Sequence, residues 1–177
     1  MYYLPNRPSN QIRSSKIRRL NLLPNELLLI ENLTQEHESI RENAKMVYNL
    51  MDGWEETNWE QLEQLEPAQT RHITEKHLNL KQSLDFLCEG LKGHYSHEEE
   101  EMQYLVGAPL TEALRIEHGE ILKQLEEVNF FLINITPRGF LANGSYLKMI
   151  IENLCQLITN HSLKEDTILQ LIKRRFI

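Results

Sequence analysis

The chain has 177 residues, of which 41% are hydrophobic and 25% charged, with a formal net charge of −7; that is the size of one domain able to bury a core without disulfide or metal staples. Its 7 Gly and 6 Pro are too few for a collagen-like, low-complexity or many-turned all-β chain. No apolar run approaches the ~20 residues of a membrane span, and no signal-peptide stretch opens the chain, so it is expected to be cytoplasmic, without membrane insertion.

Residues 1–23 read as a basic arm. Arg7, Arg13, Lys16, Arg18 and Arg19 carry +5 with no acid before residue 21, which leaves −12 on the remainder. The acidic body argues against binding a phosphate backbone, and the arm lacks the interleaved aromatics of a base-stacking surface. Nucleic acid is therefore not expected as a partner.

From Pro24 the pattern turns helical, and residues 24–177 read as one bundle. Ile30, Leu33, His37, Ile40, Ala44, Val47 and Met51 step by three and four, the stripe of an amphipathic helix that Pro24 suits at its first turn and Asp52-Gly53 stops. Residues 54–67, with Trp54, Trp59 and Pro67, read as a connection with a short helix of its own. A second, longer stripe runs Ile73, His77, Leu80, Leu84, Leu87, Leu91, His94, Glu98, Met102, Leu105 and is punctuated by Gly107 and Pro109. The third runs Leu110, Leu114, His118, Ile121, Leu125, Val128, Leu132. Residues 134–145, with Pro137, Gly139 and Gly144, read as a loop. The fourth stripe runs Leu147, Ile151, Leu154, Ile158, His161, Glu165, Ile168, Ile172, with Lys173, Arg174 and Arg175 suited to a helix C-terminus. Four such helices with mostly short connections predict an all-α, antiparallel up-down-up-down four-helix bundle with an N-terminal arm.

The polar members of these stripes carry the chemistry. A lone His on an apolar stripe is ordinarily a hydrogen-bonded core residue, but here each of four stripes has one, and two have a Glu one turn later. A buried carboxylate needs a cation or firm hydrogen bonds. His94/Glu98 and His161/Glu165 are both spaced i, i+4, which puts an imidazole and a carboxylate on one face about 6 Å apart. In an antiparallel bundle His37, His94, His118 and His161 all fall near mid-helix, at a common height. The set His37, His94, Glu98, His118, His161, Glu165 is thus expected to bind metal. Imidazole and carboxylate without thiolate suit iron, manganese or zinc, and two bridging carboxylates in a bundle favour a pair of irons.

Other candidates are weaker. His97 and Glu101 offer an adjacent register, as additional ligands or as support for the centre. Asp166 turns ~100° from the stripe and is a further candidate of the same kind. The rest of the run Glu98 to Glu101 reads as a solvated face. His77 lies about 25 Å from His94 along the axis and reads as a helix-start or packing residue, and His72 as exposed. Glu36, Glu117 and Tyr95 flank the ligands as supporting groups, and Gly90, Gly93 and Gly119 are either simply tolerated in their helices or sites of close helix approach. Cys88 and Cys155 form no Cys-x-x-Cys pair and read as reduced, buried thiols.

At Glu36-His37-Glu38, His94-Tyr-Ser-His-Glu98-Glu-Glu-Glu-Met102, Glu117-His118-Gly-Glu-Ile121 and His161-Ser-Leu-Lys-Glu165-Asp166 the chain resembles the haemerythrin-like (HHE cation-binding) family. The resemblance implies a four-helix bundle with two non-haem irons, oxo- or hydroxo-bridged, with zinc or manganese as substitutes in recombinant protein. Glu98 and Glu165 would bridge the metals and the four histidines would cap them. Leu114 and Leu122 stand one turn from His118, where the haemerythrins proper have a second histidine. Four histidines with glutamates look more like the divergent members, which include iron-sensing proteins and proteins that repair iron centres. The function implied is binding or sensing of oxygen, nitric oxide or iron. The alternatives are an enzyme reducing peroxide or nitric oxide, and a metal-free helical interaction protein.

Overall fold

The computed structural model describes residues 22–52 and 66–176. The basic arm up to residue 21 and most of the 54–67 connection lie outside the described residues. Everything described is helical or turn, with no strand. Four long helices, α1 (Pro24–Asn49), α2 (Pro67–Val106), α3 (Ala108–Asn134) and α5 (Gly144–Phe176), are joined by a fifth, six-residue helix, α4 (Pro137–Ala142). No helix among the described residues is long and apolar enough to cross a membrane.

Local chemistry sets the helix ends. Pro24 and Pro67 open α1 and α2 where a missing N–H costs nothing. The Glu26 carboxylate accepts from Leu23 N–H at 2.7 Å, and the Gln69 amide oxygen from Glu66 N–H at 3.0 Å, each satisfying a backbone donor ahead of its helix. Between α2 and α3 the chain reverses on Gly107, whose φ of +82° favours glycine. The stretch expected as a loop at 134–145 instead contains α4. Thr136 Oγ1 caps it by accepting from Gly139 N–H at 3.1 Å, and Phe140 is driven fully into the core. Phe140 meets the ring of His77, whose Nε2 is 2.9 Å from Leu132 O. His77 is thus a packing residue.

α1 packs on α5 and α2, and α3 packs on α2 and α5. Across α1 and α5 the pairs are Glu31–Lys173, Arg41–Ser162, Ala44–Cys155 and Asp52–Lys148, one number falling as the other rises. Across α2 and α3 they are His77–Leu132, Asp85–Asn129, Lys92–Glu126 and Glu99–Arg115.

The apolar stripes bury as their spacing predicts, but in two clusters. The larger runs from Ile40 to Met51 of α1 through Leu80 to Tyr95, Ile121 to Leu132, Phe140 and Leu147 to Ile158. The smaller joins Ile30 and Leu33 to Met102, Leu114 and Leu169. It draws on the first half of α1 and α3 and the second half of α2 and α5. At the end of α5 Leu169 is fully buried, and Ile168 and Ile172 of the expected stripe are half-buried against the cluster. Each fully buried Leu or Ile contributes about 1.5–3 kcal/mol. A layer of buried polar side chains separates the two clusters.

Candidate metal centre

That layer holds His37, His94, Glu98, His118, His161 and Glu165, all buried. Each reaches it because it occupies an apolar-stripe position of its helix, so the periodicity that buries leucines elsewhere buries imidazoles and carboxylates here. The four imidazoles form two edge-to-face pairs, His37 with His94 at 4.9 Å and His118 with His161 at 4.8 Å between ring centres.

Both carboxylates contact both pairs. Glu98 Oε1 lies 3.5 Å from His37 Nε2, and its Oε2 lies 3.6 Å from His94 Nε2 and 3.4 Å from His118 Nε2. Glu165 Oε2 lies 3.4 Å from His37 Nε2, and its Oε1 lies 3.2 Å from His118 Nε2 and 3.0 Å from His161 Nε2. Most of these separations exceed a good N–H···O bond. Four of the six fall within the about 3.0–3.4 Å between two donors that each sit about 2.1 Å from one ion at roughly right-angled or tetrahedral positions, and the other two lie just beyond it. Six of the inward atoms are buried without a hydrogen-bond partner: Nε2 of His37, His94 and His161, both Glu98 oxygens and Glu165 Oε2. Orphaned buried polar atoms are costly, and a cation among them satisfies them together. Two groups could hold a metal ion: His37, His94, Glu98 and Glu165, and His118, His161 and Glu165, with Glu165 common to both.

The outward nitrogens explain why the inward ones face the layer. Nδ1 of every histidine meets a carboxylate: His37 with Asp166 at 2.7 Å, His94 with Glu36 at 2.7 Å, His118 with Glu99 at 2.9 Å and His161 with Glu117 at 3.0 Å. An Nδ1–H donated to a carboxylate leaves the Nε2 lone pair free and more basic, as metal-binding histidines require.

This family of contacts is matched by a family of sequences. The description "Hemerythrin HHE cation binding domain" fits residues 28–172, nearly the whole described chain. The chain belongs to the hemerythrin HHE cation-binding domain family. Comparison with curated proteins and with solved structures gave no match.

Protonation in this hemerythrin domain reflects the two buried carboxylates. Burial works against a charged His118, but its contacts with Glu165, Glu98 and Glu99 outweigh that, and the imidazole is pushed up to about 9. Burial likewise opposes charge on His37, yet the nearby Glu98 carboxylate and the hydrogen bond to Asp166 raise its pKa. At His94 burial prevails and the pKa falls. Burial would raise Glu98, but His118 and His37 hold its carboxyl well below the usual range. A cation binding here must displace the imidazole protons that balance the carboxylates.

The structure brings all six central candidates together and separates the weaker ones. Asp166 supports the His37 ring. His97 is exposed and Glu101 half-buried, and neither belongs to the two donor groups. His72 is exposed as expected. Tyr95 is buried, stacked on His118 at 3.8 Å. Of the two glycine readings, simple helix tolerance fits: a Cβ at Gly90, Gly93 or Gly119 would meet nothing within 4 Å, so no helix approaches closely there. Sequence reasoning also missed Glu99, which it placed on a solvated face, and the cations Arg41, Arg115 and Lys164 that hold Asp166, Glu99 and Glu117. The available signal was position: Glu99 lies one residue beyond Glu98, as Asp166 does beyond Glu165. Cys88 and Cys155 are free and buried, and burial pushes the Cys155 thiol up to about 11.

Proposed function

We propose that the chain is an antiparallel up-down-up-down four-helix bundle holding two non-haem irons, and that it binds or senses a small ligand, oxygen or nitric oxide, or iron itself. The observation that carries this is the double engagement of Glu98 and Glu165, each within 3.6 Å of histidines from both pairs. The opposed numbering of residue pairs across α1/α5 and α2/α3, and the makeup of the smaller cluster, support the antiparallel arrangement.

In this reading His37 and His94 would hold one metal and His118 and His161 the other, with Glu98 and Glu165 as the carboxylates they would share. Bound iron would supply electron transfer and open coordination positions for a diatomic ligand or peroxide. The protein's own part is to hold four Nε2 lone pairs inward by means of Asp166, Glu36, Glu99 and Glu117. It also keeps water away with the apolar clusters on either side of the layer. Free thiols among the buried residues fit a reducing, cytoplasmic setting.

Metal analysis of the purified chain after anaerobic iron loading tests this. Two irons per chain are expected, and Glu98→Ala or Glu165→Ala should lose two-metal loading. No stoichiometric metal would make the chain a helical interaction protein, and two irons retained in both variants would overturn the ligand set. Catalytic consumption of peroxide or nitric oxide by the loaded protein would move the reading from binding to enzyme.

A further inference from the structure

Three of the four histidine–carboxylate pairs end on a cation, and the fourth does not. Asp166 is held by Arg41 at 2.7 Å, Glu99 by Arg115 at 3.0 Å, and Glu117 by Lys164. Glu36, behind His94, has no cation partner among the described residues, and at 44% exposed it is the most open of the four carboxylates.

The same corner opens on a groove between α1 and α2 of about 420 Å³, whose lining includes Glu36, Ser39, Gly90, Gly93, His94 and His97. Gly90 and Gly93 leave open space where a side chain would stand. His94, only 7% exposed, closes the inner end, and its Nε2 is one of the buried atoms without a partner. At the other three corners the carboxylate is already engaged by a cation and is less available to an approaching dication. This corner instead offers a carboxylate, an exposed imidazole and a hydroxyl, a donor set suited to a hydrated divalent cation.

We propose that the α1–α2 groove is the route by which the metal reaches the centre. A hydrated divalent cation meets Glu36 and His97 first and then passes His94 to Glu98. One Glu36 oxygen keeps the Nδ1–H of His94 while the other receives the cation. This rests on the metal-centre reading above, and it assigns to Glu36, His97 and the two glycines a role in the rate of loading.

The test is stopped-flow uptake of Co²⁺, followed by its visible absorption, in the metal-stripped full chain. His97→Ala removes the exposed outer donor and leaves the Glu36 hydrogen bond to His94 intact. Gly93→Leu fills the groove from a position with no Cβ clash. Both should slow uptake about tenfold or more, the scale on which a lined electrostatic cleft raises an on-rate. Final stoichiometry should not change and metal-free melting should not fall, Gly93→Leu raising it slightly through helix propensity. Glu127→Gln, which removes one exposed charge elsewhere on α3, should leave the rate unchanged. Wild-type rates in both groove variants overturn the route, as does lost stoichiometry at an unchanged rate. If wild-type chain takes up no Co²⁺, the metal centre itself fails, and the route with it.

Discussion

Asp166 Oδ1 accepts a hydrogen bond of 2.7 Å from His37 Nδ1, across the interface between α5 and α1. The residue before Asp166 places its own carboxylate 3.4 Å from the other nitrogen of that ring. One turn of α5 therefore sets both the tautomer of His37 and the oxygen that would share a metal with it.

If this contact orients His37, Asp166→Ala should lower metal affinity by about tenfold to a hundredfold, the usual effect of removing a carboxylate behind a ligating histidine. Asp166→Asn, which keeps an acceptor oxygen, should lose less. Competition titration against a chromophoric chelator measures both, and equal affinity in Asp166→Ala and wild type would refute the role.

Chelation should leave a folded protein. The two apolar clusters lie on either side of the polar layer and do not need a cation to pack. Helical circular dichroism should persist after metal removal while the melting temperature falls. Gross unfolding on chelation would mean that the buried carboxylates cost more than these clusters supply.

The metal-free protein should have an inverted alkaline response. His118 is raised from 6.5 to about 9 in the folded chain, so its contribution is fully present below pH 6.5 and is lost as pH rises toward 9. Glu98 is lowered from 4.5, so its contribution is present above pH 4.5 and lost on acidification. Metal-free melting should therefore fall as pH rises from 6.5 to 9, and the loss by pH 9 should approach about 3 kcal/mol. The metal-loaded protein should gain over the same rise, because metal replaces the protons. Melting curves of both forms from pH 4 to 9.5 decide it.

Phe140→Ala should separate stability from metal binding. Phe140 is fully buried in the larger cluster, against His77 and away from the donor groups. Its truncation should cost about 3–5 kcal/mol, lowering the melting temperature by roughly 6–20 °C for a domain of this size. Metal stoichiometry should stay at the wild-type value. A variant that melts normally would show that α4 does not anchor the core.

The glycines show what residue type alone leaves open. Gly90 and Gly93 permit a close helix contact, yet the structure leaves their open sides facing the α1–α2 groove. The stretch 134–145 suggests a loop from its Pro and Gly, but Thr136 and Phe140 supply a cap and an anchor that make six residues helical. Helix-breaking composition describes local preference, and burial of one large ring overrides it.

By itself the sequence determined which faces of the long helices are buried and which six polar side chains share those faces, because a 3.6-residue period is a property of the chain alone. His37, His94, Glu98, His118, His161 and Glu165 were all legible that way. Only the tertiary structure decided which carboxylate stands behind each imidazole, which corners are closed by Arg41, Arg115 and Lys164, and that the Glu36 corner has no such cation among the described residues. Several of those partners are far apart in sequence, as His37 and Asp166 are. Their pairing depends on the rotation and height of whole helices against one another, which no local spacing encodes.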